Sequence, residues 1–208
     1  GAIPIFADVE KNTGCIDPKS FERKITKRTK AIIVVHQFGF PANMKEIKKI
    51  AKRNNIKIIE DCAQAHGAKY RGKNVGTFGD IGVFSLNVNK SIQSGEGGVC
   101  ITNSKEISFR LKLIRNHGEA VVGPAKYKNI INIVGFNYRM TELTAGIANT
   151  QLSKLKNLNR YRLKLIKYFI SKIKKFKFLI PFTSREECKS CRCTSKCLNA
   201  FYIMPLIY

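Results

Sequence analysis

One lysine stands between a serine and a glycine cluster in residues 84–98, FSLNVNKSIQSGEGG. Ser85 precedes Lys90 in a Ser-x4-Lys pattern, and Gly95, Gly97 and Gly98 follow, with apolar runs on either side. In a dry, enclosed pocket a lysine has its pKa lowered, because burial disfavours the ammonium. Its amine then becomes a nucleophile able to form a Schiff base with a carbonyl. Ser85 and the glycines suit an anion, through a hydroxyl and close backbone approach. This is not a nucleotide P-loop: the lysine precedes the glycines and no Gly-Lys-Ser/Thr occurs. An exposed loop lysine is the alternative reading of this segment alone.

Two further clusters carry chemistry. In IIEDCAQAHGA, Asp61 closes an apolar strand, with Gln64 and His66 close behind. A carboxylate there is costly unless it meets a cation or strong donors, so it marks either a site or a structural ion pair or helix cap. In GFNYRMTELTAGIA, Asn137, Tyr138 and Arg139 precede a helix that Thr141 can cap. Asn137 and Arg139 could bind an anion; a plain loop and cap is the alternative.

The elements that must position these residues follow from hydrophobic period. Residues 1–8 alternate toward a short strand. DPKSFERKI starts a helix, with Asp17 as cap and Pro18 in the first turn. AIIVVHQ is a continuous β-branched run, expected to be a strand buried on both faces. NMKEIKKIAKRNN puts Met44, Ile47, Ile50 and Ala51 on one helical face. IKIIED, IGVFSL and GGVCITN read as further strands, and SKEISFRLKLIRNHG as a helix stopping at Gly118. EAVVGPAKYKNI reads as a loop. From Met140 a long periodic stretch offers Leu152, Leu155, Leu158, Ile166, Phe169 and Ile173 as a buried face, with Pro181 as its end. AFYIMPLIY reads as one more strand. Strand and helix in alternation predict an α/β domain with a largely parallel sheet. Such sheets bind ligands beyond the carboxyl ends of their strands, where Asp61 and Ser85 fall. The long helix suggests a boundary near residue 153, with a large domain over 1–153 and a second unit over 154–208.

Composition narrows the class. Hydrophobic residues make up 44% of the 208, enough for a substantial core. No apolar run approaches the roughly 20 residues of a membrane helix. The first ten residues have no signal-peptide pattern and no initiator methionine, so a fragment or processed product is expected. The formal charge is +24, and Leu143 to Arg185 holds eleven basic residues and no acid. That pattern fits a solvated helix face; no RNA-binding or paired zinc-finger signature supports nucleic acid. Seven cysteines without a secretory signal suggest a reducing, cytoplasmic compartment.

Taken in order, the three clusters resemble the pyridoxal-phosphate enzymes of fold type I, in particular the DegT group of nucleotide-sugar aminotransferases. The resemblance runs from PIFADVE through RTKAIIVVHQFGFPANM, IIEDCAQAHGAKYRGKNVGTFGD, FSLNVNKSIQSGEGG, RLKLIRNHG and GFNYRMTELTAGIANTQL. It implies a fold-type-I αβα large domain followed by the start of a small α+β C-terminal domain. It implies that Lys90 holds pyridoxal 5'-phosphate as a Schiff base and later moves the proton. By the same resemblance Asp61 pairs with the pyridine nitrogen, Gln64 contacts the ring hydroxyl and Ser85 contacts the phosphate. Asn137 would reach the phosphate in a partner subunit's site, which implies a homodimer. His36, His66, His117 and Arg139 lie in family-like segments, as supports of the site; for each histidine a structural role is the alternative. Some relatives carry histidine where this chain has Lys90 and dehydrate their sugars, so Lys90 implies transamination. The donor would be an amino acid, glutamate first, and the acceptor a nucleotide-linked keto-sugar destined for surface polysaccharide or lipopolysaccharide. A dehydratase, an idle paralogue, or a basic metal-clustered nucleic-acid module are the alternatives.

Two features depart from the family. An upstream region that supplies a further phosphate contact and a ring-stacking aromatic is absent, as is the rest of the small domain. The chain by itself is therefore expected to bind cofactor weakly and to have little activity. Second, Cys188, Cys191, Cys193 and Cys197 form C-x2-C-x-C-x3-C. Four thiolates could hold zinc or an iron–sulfur cluster, although the spacing matches no standard site and free thiols are the alternative.

Overall fold

A computed structural model describes residues 1–119, 133–182 and 197–208. Helix α1 (Pro18–Lys24) starts where Asp17 accepts hydrogen bonds from the backbone of Lys19 and Ser20. Strand β1 (Ala31–Val35) follows, then α2 (Met44–Arg53) and β2 (Lys57–Asp61). A short hairpin, β3 (Lys69–Tyr70) and β4 (Lys73–Asn74), leads to β5 (Ile81–Ser85) and β6 (Gly98–Ile101). Two helices come next, α3 (Lys105–Arg115) and α4 (Glu142–Ile173), capped by Ser104 and Thr141. A last pair, β7 (Ile180–Pro181) and β8 (Leu206–Ile207), is antiparallel.

The central sheet has the order β1-β2-β5-β6. The first three strands are parallel, while β6 runs antiparallel to β5 with Ser85 opposite Gly98. This is the mainly parallel α/β sheet expected. Residues 86–97, with Lys90 among them, are therefore the connection of a wide hairpin at the carboxyl end of β5. Met44, Ile47, Ile50 and Ala51 are all buried, and they meet Ile32, Val34 and Ile58 in one core. At about 25 cal/mol per Å² of apolar surface removed from water, each of the larger of these side chains contributes roughly 1.5–3 kcal/mol.

The structure corrects five expectations. Residues 1–8 form no strand; Val9 makes only an isolated bridge to Ile16, and Phe6 is 85% exposed. No described strand lies alongside to pair with them. Strand β1 is buried on one face only, and Ile33 is 62% exposed. Alternation sends Ile32 and Val34 toward α2 and Ile33 to the other side, where no described element covers it. On α4 only Ile173 is fully buried; Leu152 is 56% exposed, because few described residues pack along that helix. Its last helical residue is Ile173, well before Pro181, which sits in β7. Strand formation near the C-terminus is confined to Leu206–Ile207.

The C-terminal segment returns to the core. Ala200 and Tyr202 donate backbone hydrogen bonds to the carbonyls of Gly39 and Phe38, and Leu198 pairs with Lys69. Gly39 has φ +91, and a Cβ there would stand 2.7 Å from the Phe201 nitrogen, so only glycine admits this approach. Edge-to-face contacts of Phe38 and Phe40 with Phe182, and of Phe40 with Phe201, seal the junction.

Gly82, in the middle of β5, makes a sharper demand. A Cβ at this position would lie 2.3 Å from the Gly76 carbonyl oxygen, and backbone cannot swing away as a side chain can. Gly82→Ala is expected to cost about 3 kcal/mol, the upper end for overpacking. Denaturant unfolding measures it; a loss under about 0.5 kcal/mol, the range of neutral surface changes, would refute this contact.

Candidate functional site

The site forms at the carboxyl ends of β2 and β5. Asp61 is the last residue of β2 and Ser85 the last of β5. Alternation puts Glu60 and Asp61 on opposite faces: Glu60 is fully buried, whereas Asp61 is half-buried beside the uncovered side of the sheet. Asp61 Oδ1 accepts the Ala63 N–H at 2.9 Å, which fixes the carboxylate at the start of the following turn. Gln64 lies in that turn. Its Oε1 accepts the Phe38 N–H at 2.8 Å, so the amide orientation is set and the NH2 group keeps its donors. Phe38 itself has φ +56, a left-handed conformation disfavoured for a side chain of its size.

The Ser85 hydroxyl oxygen accepts the Asn87 N–H at 3.2 Å and retains its own proton for donation. Lys90 closes a turn through its N–H to the Asn87 carbonyl. Its side chain is half-buried, with Nζ 5.1 Å from the centroid of the Tyr202 ring, a cation–π contact. No carboxylate pairs with it among the described residues. The glycine turn beyond it uses Gly95 and Gly97 at φ +86 and +145, and Asn87 Nδ2 donates to Glu96 across the loop.

His66 is buried and donates from Nε2 to the Ser85 carbonyl at 2.8 Å, tying the turn after β2 to the end of β5. Its Nδ1 is buried without a partner among the described residues. Burial, with the positive charges of Lys90 and Arg162 added, pushes its pKa below the ordinary value, against the pull of the Ser85 bond. The ring is thus neutral near pH 7.

His36 belongs to a different network. It is fully buried, its Nδ1 accepts the Ala42 N–H at 2.9 Å, and its Nε2 meets Glu60 Oε2 at 3.0 Å. An acceptor at Nδ1 leaves the Nε2–H tautomer, which donates to the carboxylate. Glu60 also accepts from the backbone of Gly76, Phe78 and Gly79 at 2.6–2.7 Å. Burial works to raise the Glu60 pKa, but these donors outweigh it and hold the carboxyl below its usual range. Cys62 joins His36 and Glu60 within 4.8 Å. Burial, then the charges of Glu60 and Asp61, raise its thiol pKa far above the ordinary value. Both His36 nitrogens and both Glu60 oxygens are already engaged in hydrogen bonds here, as befits a packed polar core.

The third cluster stands apart. Asn137 is exposed and bridges to Asn116; Arg139 Nη1 donates to Asn116 Oδ1 at 2.6 Å. His117 is exposed and has φ +58. No hydrogen bond connects Asn137, Arg139 or His117 with Asp61, Ser85 or Lys90 among the described residues. Met140 from this segment reaches the glycine turn, close beside Gly97. Of the cysteine cluster, Cys188, Cys191 and Cys193 lie outside the described residues; Cys197 Sγ accepts the Arg71 N–H at 3.3 Å.

Sequence reasoning brought Asp61, Gln64, His66, Ser85 and Lys90 to one place, but missed Tyr202, Glu60, Asn159 and Arg162. Glu60 had a signal, being the core-facing neighbour of Asp61 in a strand that alternates. Tyr202 and the two α4 residues had none, since contacts across such separations leave no local pattern.

Known proteins share this arrangement of elements. A model of the DegT/DnrJ/EryC1/StrS aminotransferase family matches residues 1–201. GDP-perosamine synthase of Escherichia coli O157:H7 is 45% identical over 154 residues, covering 74% of this chain and 41% of that protein. The dTDP-3-amino-3,6-dideoxy-alpha-D-galactopyranose transaminase of Aneurinibacillus thermoaerophilus is 44% identical over 175 residues, 84% of this chain and 47% of that one. Among solved structures, an aminotransferase from Psychrobacter cryohalolentis superposes with a TM-score of 0.85 at 32% identity, over 97% of this chain and 53% of its own. The E. coli GDP-4-keto-6-deoxy-D-mannose-3-dehydratase with bound hydrated pyridoxal phosphate gives 0.81 at 30% identity, over 96% and 52%. The chain spans about half the length of the curated relatives it matches.

Proposed function

We propose a specific activity for this chain, which belongs to the DegT/DnrJ/EryC1/StrS aminotransferase family: transfer of an amino group from glutamate to a nucleotide-linked keto-sugar. The family's cofactor is pyridoxal 5'-phosphate, and the residues present fit it. Asp61, Gln64, Ser85 and Lys90 gather at adjacent strand ends, each with polar capacity left over. The observation that carries the reading is Lys90: half-buried, free of any described carboxylate, in the loop beyond Ser85.

The bound cofactor supplies an electron sink for charge that develops beside the amino-bearing carbon. Asp61 would hold the pyridine nitrogen and keep it protonated. Gln64, its carbonyl already held by Phe38, would donate through its NH2 to the ring hydroxyl. Ser85 would donate to the phosphate. Lys90 would hold the cofactor through its amine and, once free, would serve as the base that moves a proton at the amino-bearing carbon. Asn137 reaches the phosphate of a second copy's site, so the working unit is a homodimer. Its exposure beside the stacked, exposed pair Phe136 and Tyr138 supports that role. The catalytic large domain covers 1–153, and 154–208 begins the small one, although α4 runs unbroken through the boundary. We place the enzyme in the cytoplasm, feeding surface-glycan synthesis; no helix among the described residues is long and apolar enough to cross a membrane.

The similarity to a dehydratase favours one second reading, sugar deoxygenation on the same fold. Lys90 supports transamination against it, because the relatives that dehydrate their sugars carry histidine at that position. The test supplies the purified full-length protein with pyridoxal phosphate, [15N]glutamate and GDP- or dTDP-linked 4-keto-6-deoxy sugars. Transfer of 15N to the sugar is expected, measured by mass spectrometry. Loss of a sugar hydroxyl without 15N gain would replace this reading with the second.

A further inference from the structure

Helix α4 turns one face toward the site, through Leu155, Asn159 and Arg162 at i, i+4 and i+7. Asn159 Nδ2 donates to the His66 carbonyl at 2.8 Å. The approach is close: a Cβ on Gly67 would stand 2.6 Å from that nitrogen and 3.6 Å from a Leu155 methyl. One turn further on, Arg162 Nη1 donates to the hydroxyl of Ser91, the residue after Lys90. The same helix therefore grips the turn after β2 and the loop after β5, which His66 already joins through Ser85. The lysine loop has few other anchors: Leu86 and Ser94 pair at its base, and Ile92 is buried. Without the Ser91 tether, the described contacts that hold Val88 to Ser91 are turn hydrogen bonds and the cation–π contact of Lys90 with Tyr202.

We propose that Arg162, supported by Asn159, is a positioning residue: α4 sets the place of Lys90 by clamping Ser91. It touches neither cofactor nor substrate; it acts by lowering the freedom of the loop that presents the amine. A guanidinium suits this because its planar fork is pre-organised and always charged. The inference rests on the role assigned to Lys90, but its structural half can be read without the cofactor.

The experiment uses the purified protein with Arg162→Met, Arg162→Lys, Ser91→Ala and the double variant Arg162→Met/Ser91→Ala. Amide hydrogen exchange of residues 88–92 is measured before adding cofactor, and the pyridoxal phosphate dissociation constant afterwards. Arg162→Met and Ser91→Ala should each speed exchange and weaken cofactor binding by about tenfold, the equivalent of one charge-assisted hydrogen bond. The double variant should be no worse than either single one, because both remove the same bond. Arg162→Lys should recover part of both effects. Additive losses, or a fall in melting temperature with local exchange unchanged, would overturn the clamp. If exchange behaves as stated but the unaltered protein binds no pyridoxal phosphate, the clamp stands and the proposed function fails.

Discussion

A Lys90→Ala protein is expected to lose the visible absorption band that pyridoxal phosphate gives on binding the unaltered protein, and with it amino transfer. The rate should fall by about 10³-fold or more, since removal of a general base alone costs roughly 10²–10⁴-fold and the covalent hold on the cofactor goes too. The fold should survive. Lys90 is half-buried, and its one backbone tie, the N–H to the Asn87 carbonyl, does not depend on the side chain. What alanine removes is the amine above the Tyr202 ring.

Lys90→Arg separates charge from chemistry. Arginine keeps a cation over Tyr202, but its guanidinium stays protonated at every working pH and offers no nucleophilic lone pair. It should be as inactive as the alanine variant while matching the unaltered protein in stability. In the unaltered protein, glutamate should bleach the band. A band that persists in Lys90→Ala would assign the cofactor to another lysine and end the present reading of the site.

The strand ends were legible in the sequence because they obey local rules. Asp61 and Ser85 each close an apolar run, and Asp17, Ser104 and Thr141 each stand one residue before a helix. The amphipathic face of α2 needed only its period. What escaped was set by partners far along the chain. AIIVVHQ declares a strand, yet which of its faces is covered depends on what packs there, and Ile33 finds nothing among the described residues. On α4 the period is equally clear, but Leu152 and Phe169 remain exposed while Asn159 and Arg162, polar residues on the face that does make contact, do the joining. Period records which residues of a helix share a face and not what packs against it. Glu60 shows the reverse case: an acid to which the sequence assigns no role proves to be the centre of the core's polar network, because its partners His36 and the turn at 76–79 are distant in sequence.

That network predicts the largest stability effect. Glu60 Oε1 takes the N–H groups of Phe78 and Gly79; Oε2 takes Gly76 and the His36 Nε2. Four donors converge on two oxygens in a place without water access. Glu60→Gln keeps the shape but turns one acceptor into a donor, leaving two buried N–H groups facing an NH2. At about 1–3 kcal/mol for each unsatisfied group, the loss should be about 3 kcal/mol or more at pH 7, a large part of the roughly 5–15 kcal/mol that holds a domain together. The pH dependence follows from the depressed carboxyl pKa. Folding favours the ionised form, so the contribution is fully present above the unfolded pKa of about 4.3 and is lost as pH falls through the lower folded value. Protonated Glu60 then resembles glutamine: it carries a donor where the site wants only acceptors. Denaturant unfolding of both proteins from pH 7 down to pH values below that of the folded carboxyl should show the gap between them narrowing on the acid side. A gap of constant size would mean that Glu60 is not the group that couples this fold to protons.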